Sequence, residues 1–217
     1  MTRDWFAWHE KYDDPTSWQS VRLATVQERI KLFLDTAQPG PLSVISMCAG
    51  QGTDLIPVLA LHPRRDDVTA RLVELDPANT TIACRYTSIL GLPGVDVVTG
   101  DAALTDHYDG FAPADLLLIC GVFPHISGFD ITSVIDHAPS FVKKGGTVIW
   151  TMHHRPPDLV PDIADAFASY GFEPVWATEP EVEHAVCECR QTLDPAQVVT
   201  GRKMFTFIGV DVVRGGL

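Results

Sequence analysis

Basic residues are scarce in this chain. Lysine and arginine number 16 against 28 aspartates and glutamates, giving a formal net charge of -12. Nucleic-acid phosphates are held by Lys and Arg side chains that displace counterions, so this deficit argues against a nucleic-acid partner. It argues equally against an anionic membrane surface. No apolar run is long enough to span a bilayer, and the opening MTRDWFAWHEKYDD lacks the uninterrupted apolar stretch of a signal peptide. Cysteines are few, odd in number and irregularly spaced; Cys187 and Cys189 form a C-x-C, not a C-x-x-C. With no second Cys/His pair at ligand spacing, no metal site is expected, and the five thiols read as reduced in a cytoplasmic protein. Internal repeats and low-complexity tracts are absent too. What remains is a 217-residue chain, 46% hydrophobic and 20% charged, which suits one soluble domain with a sizeable core.

Apolar periodicity places the elements. Residues 17–36 read as a helix with Ser17 as N-cap and a stripe of Val21, Leu23, Val26, Ile30, Phe33 and Leu34. Its polar residues, Arg22, Gln27, Glu28, Arg29 and Lys31, read as a solvated face. Strands are predicted at 42–47, 68–75, 95–98, 115–120 and 147–152. Helices are predicted at 53–61, 78–90, 130–143 and 158–169, the first capped by Thr53 or Asp54 and the second by Asp76. Lys143-Lys144-Gly145-Gly146 reads as a turn. Three strand-like runs close the chain, near 172–177, 185–192 and 203–212. Alternating strands and helices with near-continuous apolar strands predict an α/β doubly wound, mostly parallel sheet covered on both faces. The last runs, without intervening helices, predict an antiparallel hairpin added to that sheet.

Such sheets bind ligands at the carboxyl ends of their strands. Five features fall there. Cys48-Ala49-Gly50-Gln51-Gly52 follows strand one, a turn of small residues that lets backbone approach a ligand. Glu74 ends strand two and, ionised, can accept from both hydroxyls of a ribose. Asp101 follows strand three and can accept from an exocyclic amine such as adenine N6, while the Ala102 amide can reach a ring nitrogen. Cys120 opens the sequence CGVFPH after strand four, and His153-His154 follow strand five. A dinucleotide fingerprint would need a third glycine three residues after Gly52, where Leu55 stands.

This order of motifs resembles the class I S-adenosylmethionine-dependent methyltransferases. The matching elements are the turn at 48–52, the acids Glu74 and Asp101, Gly145-Gly146 before strand five and Gly171-Phe172 before strand six. An antiparallel final strand, placed near 203–212, also matches. The match spans roughly residues 40–212. Two positions depart from the family's pattern: Cys48 stands for the turn's first glycine, and Ser46 for an acid that contacts the cofactor's amino group. The resemblance implies a seven-stranded sheet and one domain overall, with residues 1–40 an N-terminal helical cap or lid and 41–217 the S-adenosylmethionine-binding part. It implies S-adenosylmethionine as cofactor and S-adenosylhomocysteine as product. The cofactor is expected at Cys48, Ala49, Gly50, Gln51, Gly52, Glu74, Asp101, Ala102 and Cys120.

The expected activity is methyl transfer to a small-molecule acceptor, a metabolite or natural-product intermediate, by in-line displacement. No N/D-P-P-Y/F motif follows strand four, which argues against amine methylation of nucleobases or protein glutamine. His125 and His153 are the candidate bases, at most one of His153 and His154 facing the crevice; a packing role is the alternative for each. The aromatics Trp5, Phe6, Trp8, Tyr12 and Trp18 read either as core or as a lid that excludes water. Two other functions stay open on the same fold: aminopropyl transfer and a non-catalytic cofactor-binding module. An NAD-dependent oxidoreductase is the remaining alternative. The sequence carries no signal of oligomeric state.

Overall fold

The computed structural model describes Asp14 and residues 16–208. Helix α1 (Trp18–Thr36) leads into strand β1 (Leu42–Met47), followed by α2 (Ile56–Leu61), β2 (Val68–Glu74), α3 (Pro77–Ile89), β3 (Val95–Thr99) and β4 (Ala114–Ile119). Then come α4 (Gly128–Phe141), β5 (Val142–His153), α5 (Val160–Ser169), β6 (Phe172–Ala177) and β7 (His184–Gln191). The seven strands form one sheet in the order β3-β2-β1-β4-β5-β7-β6. β7 runs antiparallel to both β5 and β6; the other pairings are parallel.

Strand side chains alternate between two buried layers, which is why the strands read as continuous apolar runs. Ile45, Leu117, Ile119, Val148 and Trp150 enter one layer with Ile135 of α4 and Phe167 of α5. Val44, Leu116, Leu118 and Ile149 enter the other with Val26, Ile30 and Leu34 of α1 and Leu59 of α2. Helix α1 is thus a wall of the core. Capping follows the sequence in part. Ser17 accepts from the Ser20 amide and Asp76 from the Ala78 amide. Neither Thr53 nor Asp54 caps α2, whose N-cap position is Leu55 without a side-chain cap.

Three expectations are corrected. The polar residues of α1 are only partly solvated: Glu28 and Lys31 are exposed, but Arg22 is 4% exposed, Gln27 donates to the Thr53 carbonyl at 2.8 Å, and Arg29 pairs with Glu188 of β7. The antiparallel strand inside the sheet is 184–191, not a strand near 203–212. Residues 204–208 are outside the strands, and Lys203 makes only an isolated bridge to Leu104. Met204 and Phe205 drop into the core while the chain crosses the strand ends, the Met204 amide donating to Ala103 O and the Ile208 amide to His125 O. Residues 209–212 lie outside the described part, as do Trp5, Phe6, Trp8, His9 and Tyr12, so the lid expectation falls largely outside it too. Finally, Gly145 and Gly146 sit within β5, where the pairing with β4 shifts register between Ala114 and Leu116. A Cβ on Gly146 would lie 2.9 Å from Lys143 O and 3.1 Å from Asp115 O.

Candidate functional site

The connections reverse direction between β1 and β4, where neighbouring strands send their helices to opposite faces and leave a crevice. A cleft of about 800 Å³, its open mouth included, occupies that point. It is lined along β3, β2 and β1 by Asp101, Ala102, Glu74, Leu75, Asn79, Cys48, Ala49 and Gly50. Toward β4 the lining passes to Thr53, Asp54, Cys120, Gly121 and His125, with Arg22 of α1 and Phe207 of the C-terminal segment above.

The turn after β1 uses its amides internally. Ala49 donates to Val73 O at 3.0 Å, Gly52 to Ala49 O at 2.8 Å and Gly50 to Glu74 Oε2 at 2.9 Å. Glu74 Oε1 accepts from the Asp76 amide at 2.9 Å. Two strand ends therefore fix one carboxylate, which is 8% exposed and keeps lone pairs for a ligand. Asp101 Oδ1 accepts from the Ala103 amide at 3.0 Å, and Lys203 Nζ lies 3.1 Å from its Oδ2. Asn79, wholly buried in the first turn of α3, has its Oδ1 3.3 Å from Gln51 Nε2. Its Nδ2 has no hydrogen-bond partner among the described residues. A buried amide left this way costs roughly 1–3 kcal/mol, and a ligand acceptor in the cleft would relieve it.

The structure divides the residues expected at the cofactor. Cys48, Ala49, Gly50, Glu74, Asp101, Ala102 and Cys120 line the cleft; Gln51 and Gly52 do not, and line instead an apolar groove between α2 and α3. Gly52 is required by packing. Its φ is +75°, and a Cβ there would meet Ile56 Cδ1 at 2.4 Å and Leu72 Cδ2 at 3.0 Å. Gly52→Ala is expected to destabilise the fold by about 2–5 kcal/mol through left-handed strain and overpacking, measured by urea unfolding.

Both cleft cysteines are neutral. Burial, reinforced by the Glu74 and Asp101 charges, pushes the Cys48 thiol well up, and burial with the nearby Asp54 does the same at Cys120. Neither is a thiolate nucleophile at neutral pH. His125 is 5% exposed, lines the cleft and faces the Phe207 ring at a 6.0 Å centroid separation. His153 is not among the lining residues of this cleft. It ends β5 opposite His184, and its Nδ1 is 3.4 Å from the Arg155 amide. Sequence reading missed Arg22, Asp54, Asn79 and Phe207. Only Asp54 carried a usable signal, as an acid directly behind the glycine turn. Among the described residues no cluster of three metal-ligating side chains occurs, and no helix is long and apolar enough to cross a membrane.

No family model and no curated protein matches this sequence. Solved structures do match its fold. An O-methyltransferase family protein from Burkholderia thailandensis is 18% identical with a TM-score of 0.60, over 82% of this chain and 60% of that one. The CurJ carbon methyltransferase is 12% identical with a TM-score of 0.69, over 88% and 59%. This chain therefore spans about three fifths of both. The magnesium protoporphyrin IX methyltransferase of Synechocystis PCC 6803, solved with S-adenosylmethionine bound, is 16% identical with a TM-score of 0.67, over 88% and 92%. The chain has the class I methyltransferase fold.

Proposed function

We propose that this chain is an S-adenosylmethionine-dependent methyltransferase acting on a small-molecule acceptor. The observation that carries the reading is the Glu74 carboxylate, clamped by the Gly50 and Asp76 amides and facing the crevice of a methyltransferase fold. The residues present fit the cofactor. Glu74 accepts from the ribose hydroxyls, the Asn79 Nδ2, without a hydrogen-bond partner among the described residues, donates to an oxygen or ring nitrogen of the nucleoside, and Asp101 accepts from the adenine amine. When bound, S-adenosylmethionine supplies an electrophilic methyl that passes to an acceptor in line with the S–CH₃ bond, leaving S-adenosylhomocysteine.

The chain's own contribution is alignment and exclusion of water, which can supply about 7–11 kcal/mol of barrier reduction. His125, buried at the β4 side of the cleft, takes the acceptor's proton where the acceptor arrives protonated. His153 lies outside this lining and has no part in that step. The narrow cleft and the net charge of -12 favour a neutral or cationic small molecule over a nucleic acid.

Calorimetry with S-adenosylmethionine, S-adenosylhomocysteine, NAD and NADP tests the cofactor. Binding of the two sulfur ligands alone is expected; binding of NAD without them would overturn the proposal. Release of S-adenosylhomocysteine from a panel of phenols, amines and carbon acids then tests turnover, and its absence across every acceptor class would favour a non-catalytic module.

A further inference from the structure

We propose that the apolar groove between α2 and α3 is the seat of a second copy of this chain, the two copies meeting across a two-fold axis. The groove lies apart from the cleft, so the contact holds whatever the cleft binds.

The groove has a volume of about 930 Å³, its open side included, and among the described residues no charged side chain lines it. Gly52 and Ile56 are buried within it. Leu61, the last residue of α2, is 89% exposed, and Ile89 and Tyr86 of α3 are 67% and 48% exposed. Large apolar side chains exposed singly are ordinary, as at Phe129 on α4; three around one groove mark a contact surface. The groove is also preformed. Arg65 ties its foot together, donating to Ala60 O at 3.1 Å, to Gly91 O at 2.6 Å and to Leu90 O. At its other end Ile56 packs into the space left by the missing Cβ of Gly52. A rigid seat loses little freedom when it is filled.

Shape and charge together select a copy of the same chain as the occupant. A two-fold interface needs one patch that is complementary to itself. This patch offers both a recess and projecting side chains, so Leu61 or Ile89 of each copy can enter the recess of the other. Charge decides which face can serve. Two chains of net charge -12 repel, and they approach most easily where carboxylates are absent. Helices α2 and α3 contain no Asp or Glu. The one charged residue on the pair is Arg85, exposed one turn before Ile89. Each copy therefore presents to the other an uncharged apolar groove flanked by a cation, and that cation faces an acidic chain.

The contact also accounts for residues that the cleft leaves unused. Gln51 and Gly52 belong to the glycine turn but line this groove, and Thr53 lines both spaces. The turn thus has an inner side that lines the cleft and an outer side that a second copy covers.

Sedimentation equilibrium of the full chain, at concentrations up to about 200 μM, tests this. A reversible dimer is expected. It should tighten between about 0.05 and 0.5 M NaCl, because salt screens the repulsion between the acidic chains and leaves the apolar contact intact. Leu61→Glu and Ile89→Glu should each weaken the dimer by about tenfold or more. Both side chains are exposed, so the diluted, monomeric variants should melt within about 2 °C of the diluted wild type. Should either glutamate variant fail to fold, Ile89→Gln repeats the test with a smaller expected loss. Phe129→Glu replaces an equally bare side chain on α4, outside the groove, and should change the association by less than about twofold. A chain that stays monomeric throughout overturns the proposal and leaves the groove to a partner of other chemistry. A dimer that tolerates both glutamates, that Phe129→Glu disrupts, or that salt weakens also overturns it, since its contact then lies on another face.

Discussion

Glu74→Ala is expected to weaken S-adenosylhomocysteine about a hundredfold and to lower the melting temperature at the same time. The two effects share one cause. The carboxylate accepts from the Gly50 amide at 2.9 Å and the Asp76 amide at 2.9 Å, so its removal strands two backbone donors and loosens the turn that shapes the cleft. Hydrogen bonds to a charged group contribute about 1.5–3 kcal/mol each, and losing a ribose contact of that kind on a loosened turn reaches roughly a hundredfold. Glu74→Gln retains one acceptor oxygen and should lose about tenfold in affinity, with a smaller loss of stability. Calorimetry with S-adenosylhomocysteine and 5′-methylthioadenosine checks the assignment: an acid that holds the ribose should matter to both ligands, since both carry it. Unchanged affinity in a folded Glu74→Ala chain would remove the ribose assignment.

The sequence made Glu74 legible because local chemistry fixes it. An acid at the end of an apolar strand, followed by Asp-Pro, marks a strand end and a helix cap, and Asp76 does cap α3. The order of the five parallel strands' helices, and hence the crevice, followed from the same local alternation. The residues it misplaced answer to partners far along the chain. Arg22 and Gln19 occupy the helical stripe that continues through Val26, Ile30 and Leu34, yet hydropathy assigns both to solvent. Only the strand ends brought under α1 by the sheet make that face polar. The C-terminal run failed for the converse reason. Met204, Phe205, Phe207 and Ile208 make an apolar run of strand length, but β6 holds that edge of the sheet, and the chain crosses the strand ends with the consecutive Met204 and Phe205 both buried. His153 shows the limit of a strand-end rule. Expected just past the strand, it is instead the last residue of β5, paired with His184 of β7, and it is not among the residues lining the cleft.

Arg29→Met is expected to cost about 3–5 kcal/mol of stability, because it leaves Glu188 buried without its cation. The ion pair joins residues 159 apart in sequence, with side chains 13% and 8% exposed, and the guanidinium also stacks 4.5 Å from the Trp176 ring centroid. For a chain of this size that loss corresponds to a fall of about 6–20 °C in melting temperature. Replacing both partners, Arg29→Met with Glu188→Leu, removes the stranded carboxylate and should recover most of the loss, so the double-mutant cycle shows strong coupling. The pair is the polar anchor of α1 on β7, about two helix turns beyond Arg22. A single variant within 1 kcal/mol of wild type by urea unfolding would show that the pair behaves as an exposed one, and that α1 is held over the cleft by its apolar stripe alone.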